Sequence, residues 1–106
     1  MKLARFHPAA RDTLRTFPRD VRRAFGKAIY DLQLGHVLSM PLSRAMPAVG
    51  SGVAEIRIQD VSGAYRAFYV TRVADAIVVF HAFAKKSRKT PEREIQLGKK
   101  RLKEML

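Results

Sequence analysis

What this sequence lacks excludes several classes of protein. It contains no cysteine, so disulfides and thiol chemistry are unavailable and a reducing compartment is expected. Its best apolar run, residues 76–83, contains a histidine and is too short to span a bilayer. The basic N-terminal segment lacks the apolar stretch of a secretory signal. We therefore expect a cytoplasmic protein without a membrane partner.

Side chains that hold metals or activate nucleophiles are also sparse. The three histidines are dispersed, and no acidic pair has the spacing of a metal site. No glycine-rich phosphate loop precedes a helix, and no combination of serine, histidine and acid suggests a catalytic triad. The sequence therefore predicts neither a metal site nor a cofactor.

Positive charge, in contrast, is abundant. The chain carries 21 lysines and arginines against 9 acids, a formal net charge of +12 over 106 residues. Such a charge attracts polyanions, and it favours contact with nucleic acid over a purely solubilising role. Both ends of the chain are basic, whereas residues 36–80 are nearly neutral. The cations of that middle part therefore stand out: Arg44, Arg57, Arg66 and Arg72.

The length predicts one domain, residues 1–106, and its first half contains two helical patterns. Residues 2–6 are a candidate opening strand, and residues 9–17 carry apolar side chains at helical spacing. Pro18 can begin a second helix that runs over Arg19–Leu34. Together the two segments predict a helical hairpin. Residues 36–52 hold two prolines and two glycines, which predicts a long loop.

From residue 53 the apolar period changes to two, which is typical of strands. Strands are predicted at residues 53–59, 64–72 and 76–83, with short turns at 60–63 and at Ala74–Asp75. The second and third strands are apolar on both faces, so both faces of the sheet should be covered.

A helix is predicted to begin at Thr90-Pro91-Glu92, with Thr90 as its cap, and to continue to the C-terminus. Its apolar stripe is Ile95, Leu102 and either Met105 or Leu106. The predicted fold class is α+β: an N-terminal helical hairpin, an antiparallel meander of three to four strands, and a C-terminal helix.

Two arginines are predicted to share one face of the sheet. Glu55 and Arg57 project from the same side of their strand, opposite the apolar side chains. If a two-residue turn at Ser62–Gly63 sets the register, Arg57 and Arg66 are diagonal neighbours across the two strands. Such a pair can bind phosphate through several hydrogen bonds. The alternative is that Arg57 pairs with Glu55 or another acid and has no further role.

A run of cations follows the third strand, whose end should lie near Arg66. Crowded cations depress one another's pKa, so Lys85 or Lys86 is a candidate proton donor or acceptor. Arg88 and Lys89 extend the run as candidates for binding nucleic-acid phosphates. The alternative is a solvated charge run without a specific role.

Three aromatic or imidazole side chains complete the candidates. His81 has the intrinsic pKa for acid–base work, although a lone histidine on an apolar strand is more often structural. Tyr65 and Tyr69 lie on the same side of the second strand, where they either stack on a base or pack in the core.

Three ordered blocks of this sequence resemble a known family: EIR at 55–57, GAYRAFY at 63–69 and VVFHAFAKKSRKTPEREI at 78–95. They are similar to RelE/HigB-type toxins of bacterial type II toxin–antitoxin systems, and most similar to the phage-derived HigB-like branch. The likeness covers residues 53–98, and the preceding helices and proline-containing loop suit the same family.

The resemblance implies a RelE-like domain that cleaves messenger RNA in the ribosome without a metal or other cofactor. It also implies a toxin–antitoxin hetero-oligomer, in which a helix-turn-helix antitoxin silences the toxin. The family's cleavage groups map to Arg57, Arg66, Lys85 and Lys86. Many relatives carry a tyrosine or histidine near the C-terminus, and the tail KKRLKEML has neither, so His81 is a further catalytic candidate.

Two alternatives to an RNA-cleaving toxin stay open. The same fold includes non-catalytic toxins that poison DNA gyrase, so the fold does not decide the activity. A basic nucleic-acid-binding module of phage origin is the third reading.

Overall fold

The structure is a computed structural model that describes residues 1–71 and 75–106. Arg72, and the Ala74 half of the turn predicted at Ala74–Asp75, lie outside the described residues. Within the described part the chain forms three helices and five strands: β1 (Leu3–Phe6), α1 (Pro8–Thr16), α2 (Arg19–Gln33), β2 (Ser43–Ala45), β3 (Ala54–Asp60), β4 (Gly63–Val70), β5 (Ala76–Lys85) and α3 (Glu92–Met105). None of these three helices combines the length and the apolar character needed to cross a membrane.

The predicted α+β class is confirmed, but the sheet is larger than the predicted meander. Its five strands have the order β1-β5-β4-β3-β2; β1 pairs in parallel with β5, and the other neighbours are antiparallel. The segment predicted as an uninterrupted loop contains β2, which pairs with β3 through Ser43, Arg44 and Ala45. A strand of three residues is too short to show an alternating pattern, so sequence periodicity does not reveal it.

The β3–β4 turn differs from the prediction by a shift in register. Asp60 pairs with Gly63, so the two turn residues are Val61 and Ser62. The Asp60 carboxylate fixes this turn, because its Oδ1 accepts hydrogen bonds from the Ser62 backbone N–H (2.8 Å) and hydroxyl (2.6 Å). Arg57 consequently lies directly opposite Arg66 rather than diagonal to it. Both arginines nevertheless project from one face, as predicted.

The two N-terminal helices form where the sequence predicts them, but they do not make a tightly packed hairpin. Only Phe17 and Pro18 separate α1 from α2, and each helix contacts the sheet more extensively than it contacts the other. The reason is that each helix directs its own apolar stripe at the strands: α1 buries Ala10, and α2 buries Val21 and Phe25.

Helices cover both faces of the sheet, as the apolar strands predict. On one face, Phe25 and Leu32 of α2 pack with Ile56 of β3 and Ile77 of β5. On the other face, Leu102 of α3 packs in a second core with further side chains from the strands and the loop: Met46, Val49, Phe68, Val70, Val78, Phe80 and Phe83.

The start of α3 differs in detail from the predicted cap. Pro91 occupies the N-cap position without a side-chain cap, and the Thr90 hydroxyl is buried with no hydrogen-bond partner among the described residues. Acidic side chains, Glu92 and Glu94, occupy the first turn, where they favour the positive end of the helix dipole. The predicted stripe is confirmed, since Ile95 and Met105 pack beside buried Leu102.

A pair of glycines tests how closely α3 packs on the sheet. A Cβ on Gly98 would lie 2.8 Å from Phe68 Cδ2, whereas a Cβ on Gly26 in α2 would have no described atom within 4 Å. We expect Gly98→Ala to lower the free energy of unfolding by about 1–2 kcal/mol, because overpacking against a buried ring outweighs the gain in helix propensity. Gly26→Ala should raise it by about 0.5–1 kcal/mol. Urea unfolding of both variants checks this, and a Gly98→Ala protein as stable as the wild type contradicts it.

Candidate functional site

A buried carboxylate lies among three arginines on the α3 face of the sheet. The Glu55 side chain is 0% exposed, and its Oε1 is 3.3 Å from Arg44 Nη2, 3.5 Å from Arg57 Nε and 3.7 Å from Arg66 Nε. A single carboxylate therefore faces three guanidinium groups. We call these four residues the Glu55 cluster.

The pairing of strands explains why these four side chains meet. Arg44 of β2 lies opposite Glu55 of β3, and Arg57 of β3 lies opposite Arg66 of β4. Directly opposed residues of an antiparallel pair project from the same face, and residues two apart on one strand do so as well. The cluster thus follows from the register that the Asp60–Ser62 turn sets.

The charged groups of the cluster lie close together without forming hydrogen bonds between Glu55 and the arginines among the described residues. Among the described residues, neither Glu55 carboxylate oxygen has a hydrogen-bond partner, and the buried Nε atoms of Arg57 and Arg66 have none. Exposure falls across the cluster, since the side chain is 45% exposed for Arg44, 25% for Arg57 and 6% for Arg66. Arg44 and Arg57 therefore offer charge and N–H donors to a ligand arriving from solvent.

Lys85 adds a fourth cation to this part of the sheet. It lies opposite Ala64, beyond the pair formed by Arg66 and Phe83. Its Nζ donates a hydrogen bond of 2.7 Å to the Arg88 carbonyl. Burial lowers the pKa of Lys85, and the nearby positive charge of Arg66 lowers it further. The antiparallel pairing thus brings Lys85 near Arg66, as the sequence predicts.

Two cavities lined by cations flank the Glu55 cluster. Arg57 and Arg66 line one of about 330 Å³, together with Gln59 and the loop residues Pro41 and Leu42. Arg44 lines a second cavity of about 490 Å³ that includes Arg88 and Lys89. Since Glu55 pairs with arginines of both cavities, the cluster joins them into one basic surface.

His81 lies on the same sheet face but apart from the Glu55 cluster. Its Nε2 is 2.8 Å from Glu94 Oε1, and Arg101 Nη1 is 2.7 Å from its Nδ1. Because a guanidinium only donates, Nδ1 accepts and Nε2 carries the proton. Burial lowers the pKa of His81, which favours this neutral form. Both nitrogens are therefore occupied.

Aromatic side chains separate His81 from the arginines. Phe68 lies opposite Glu55 on one side and opposite His81 on the other. The Phe68 and Phe83 rings stand 5.4 and 5.5 Å from the imidazole. Lys86, which is exposed, lines a different cavity of about 610 Å³ together with His81. The structure thus brings Lys85 to the arginines but not His81 or Lys86.

Tyr65 and Tyr69 share a side of β4, but it is the side opposite to the arginines. Tyr65 is 8% exposed and its ring centroid is 4.7 Å from that of Phe17. Tyr69 is 5% exposed, and its hydroxyl is 2.7 Å from Ser43 Oγ. Burial raises the pKa of the Tyr69 hydroxyl. Both rings pack in the core under α2, so neither offers a free face to a base.

Metal-ligating side chains do not gather within residues 1–71 and 75–106, where no three of them lie close enough to hold an ion. The pairs of histidine and acid that occur, His7 with Glu104 and His81 with Glu94, are separate two-residue contacts of 2.7 and 2.8 Å. The cationic surface is instead suited to an anion.

Sequence reasoning underestimated Arg44 and Glu55. Arg44 stood out only as a cation in a nearly neutral region, and its strand was not predicted. Glu55 was considered only as a partner of Arg57, whereas it pairs with three arginines. The available signal was a single acid on a strand face that otherwise carries arginine and glutamine.

Comparison with known proteins places this architecture in a family. The model of the family described as "Phage derived protein Gp49-like (DUF891)" matches residues 12–103 of the 106. No curated protein matches the sequence. The isolated E. coli RelE toxin has a similar structure, with a TM-score of 0.57 and 19% identity over 100% of both chains.

A chain of the intact E. coli RelBE toxin–antitoxin complex is similar over 83% of this chain and 100% of its own length, with a TM-score of 0.51 and 17% identity. At these identities the two structures show a shared fold. They agree with the resemblance of the three sequence blocks to RelE/HigB-type proteins. With its RelE-like fold and a match that spans most of its length, the chain belongs to the phage-derived Gp49-like family.

Proposed function

We propose that this protein is the toxin of a type II toxin–antitoxin system and that it cleaves messenger RNA in the ribosomal A site. The observation that carries the proposal is the Glu55 cluster with Lys85, which presents four cations around one buried carboxylate. The fold supports it, since the similar E. coli chain is a toxin by its description. The net charge of +12 also favours a polyanionic target.

In the proposed reaction, a ribose 2′-hydroxyl attacks the adjacent phosphorus. The bond from O2′ to phosphorus forms, the bond from phosphorus to O5′ breaks, and the products are a 2′,3′-cyclic phosphate and a 5′-hydroxyl. No metal takes part in this scheme. Arg57 and Arg66 bind the phosphate and stabilise the additional negative charge of the pentacoordinate transition state.

Lys85 is the proposed general acid. The leaving O5′ needs a proton, and an ammonium group with a lowered pKa gives it up more readily than an ordinary lysine. Lys86, Arg88 and Lys89 are assigned to flanking phosphates, because they are exposed cations on the same segment.

Glu55 is assigned a positioning role rather than the role of general base. Its side chain has no exposed surface and pairs with three arginines, so a 2′-hydroxyl does not reach it. His81 is likewise a positioning residue that connects β5 with α3 through Glu94 and Arg101. The proton of the 2′-hydroxyl then passes to water or to a ribosomal group, and this gives one reason for dependence on the ribosome.

The proposed partner is a helix-turn-helix antitoxin that binds this chain in a hetero-oligomer. A similar E. coli chain is part of a toxin–antitoxin complex, which supports the existence of a protein partner. The site of action is the cytoplasm, where ribosomes and messenger RNA are found.

The direct experiment maps new 5′ ends on a translated messenger RNA. The protein is added to a reconstituted translation system, beside a reaction that lacks ribosomes. Cuts at codon-phased positions that need ribosomes are the expected result. Intact messenger RNA at a dose that stops growth of cells contradicts the proposal, and DNA gyrase is then the next target to examine. Binding to RNA without cutting or toxicity would favour the binding-module reading.

Single substitutions test the assigned roles. We expect Arg57→Ala and Lys85→Ala each to slow cutting by about 10²-fold or more, because each removes a charge that acts on the transition state. Lys85→Arg should keep ribosome binding but lose cutting, since a guanidinium does not release a proton. Primer extension measures the rates, and circular dichroism checks the fold.

Lys99→Ala is the matched control for these variants, because Lys99 is an exposed cation on α3. It should cut at the wild-type rate. Full activity of both Arg57→Ala and Lys85→Ala would show that the site lies elsewhere.

The acidity of Lys85 is testable without RNA. Its pKa is lowered, so the neutral amine should accumulate at a lower pH than in a free lysine, whose pKa is near 10.5. Competitive acetylation across a pH series, read by mass spectrometry of peptides, gives the midpoint. We expect this midpoint to lie below that of Nα-acetyl-lysine, whose side-chain amine is free. The midpoint should rise in an Arg66→Met variant, which lacks the nearby positive charge. A midpoint at or above the free value contradicts the assignment.

A further inference from the structure

A groove on the opposite side of the sheet from the Glu55 cluster has an apolar floor. It lies between α1 and α2, where Phe6, Leu14, Phe25 and Ile29 line a cavity of about 200 Å³. An apolar cavity of about 150 Å³ accommodates benzene in another protein, so this one has room for a large apolar side chain. None of its floor residues belongs to the proposed cleavage site.

The rim of this groove is strongly cationic. Arg11 and Arg15 of α1 and Arg22 of α2 line it, and all three are exposed. Arg15 Nη1 lies 4.0 Å from Asp12 Oδ1, a long contact in which both side chains are largely in solvent. Within residues 1–71 and 75–106, no ion pair joins Arg11 or Arg22 to an acid. The rim therefore has charge available for an acidic partner.

A glycine in α2 leaves the wall of the groove open. Gly26 also lines this cavity, and a Cβ built on it would meet no atom of the described residues within 4 Å. Glycine inside a helix is unfavourable, and within residues 1–71 and 75–106 no neighbouring atom lies so close to Gly26 that it would exclude a side chain. A bare backbone at this position does, however, let another chain approach the helix closely.

We infer that the groove between α1 and α2 binds an acidic amphipathic helix of a partner protein. One large apolar side chain of that helix enters the cavity beside Gly26. The carboxylates on either side of it along the helix pair with Arg11, Arg15 and Arg22. Helix-in-groove recognition of this kind uses apolar anchors at spacings of three and four residues. The inference extends the partner part of the proposed function, because it assigns the partner a surface and a chemistry. RNA suits this surface less well, because a phosphate backbone makes no favourable contact with the apolar floor.

The probe for the test is a synthetic peptide of about 20 residues, long enough to form a helix, with leucines on one face and glutamates on the other. Two matched peptides carry the same leucines with lysine in place of glutamate, or the same composition with the leucines distributed around the helix. Fluorescence anisotropy measures their affinity for the full chain. We expect the acidic amphipathic peptide to bind at least about tenfold more tightly than either control.

Variants of the protein test whether the peptide binds in the groove. Gly26→Leu fills the cavity and should weaken peptide binding at least about tenfold. Gly26→Ala adds one methyl group, and its affinity for the peptide should stay within about twofold of the wild-type value. Arg11→Glu combined with Arg22→Glu should weaken binding at least about tenfold. Lys99→Glu combined with Lys100→Glu makes the same change of charge on exposed positions of α3 and should leave it within about twofold. Thermal unfolding shows that each variant is folded.

Four outcomes overturn the inference. Equal losses for both charge reversals indicate non-specific attraction to a basic protein. Unchanged binding to Gly26→Leu places the peptide elsewhere. A change of oligomeric state in Gly26→Leu, without peptide binding to the wild type, identifies a second copy of this chain as the occupant. Displacement of the peptide from the groove by single-stranded RNA at equal concentration identifies RNA.

The result is separable from the proposed activity. The groove variants touch no residue assigned to RNA, so they should cut messenger RNA at the wild-type rate. Peptide binding that depends on Gly26, found together with intact messenger RNA, would support the groove as a binding site and contradict only the proposed nuclease activity. Codon-phased cutting without any peptide binding would do the reverse.

Discussion

The buried carboxylate of Glu55 is the constraint on which the proposed site depends. An ionised group without exposed surface is very unfavourable unless opposite charges surround it. Here three guanidiniums supply those charges, from β2, β3 and β4, and the carboxylate in turn holds cations that would otherwise repel one another. The distances of 3.3–3.7 Å and the absence of closed hydrogen bonds in the described residues leave donors available for another anion. A phosphate bound there adds to a prearranged positive field instead of having to assemble one.

The two faces of the sheet carry different kinds of side chain. The α3 face presents the arginines and Lys85, while the α2 face buries Tyr65 and Tyr69 in the core. Along the α3 face, Phe68 separates the Glu55 cluster from His81, which joins the sheet to α3. The proposed cleavage site, the His81 contacts with α3 and the apolar groove between α1 and α2 thus lie in different parts of the domain.

Sequence reasoning succeeded where local pattern determines structure. Alternation predicted β3, and antiparallel pairing of short-linked strands brought Lys85 near Arg66. It failed where distant or subtle contacts decide. The parallel pairing of β1 with β5 joins Leu3 to Ala76, which are far apart in the sequence, and β2 is placed by its pairing with β3 and by the contact of Ser43 with Tyr69 of β4. The register depended on a hydrogen bond between Asp60 and Ser62 that composition does not reveal. The separation of His81 from the arginines depends on aromatic packing, which a strand pattern does not specify.

The coupling between Glu55 and Arg66 tests the central claim most directly. Urea unfolding of Glu55→Gln, Arg66→Met and the double variant forms a double-mutant cycle. If the carboxylate and the guanidiniums hold one another, Glu55→Gln should cost about 3 kcal/mol, because it leaves cations crowded without their counter-charge. The double variant should then be more stable than the sum of the single effects predicts, by more than about 1 kcal/mol. Additive effects of the two substitutions would mean that Glu55 does not organise the arginines, and would contradict the account.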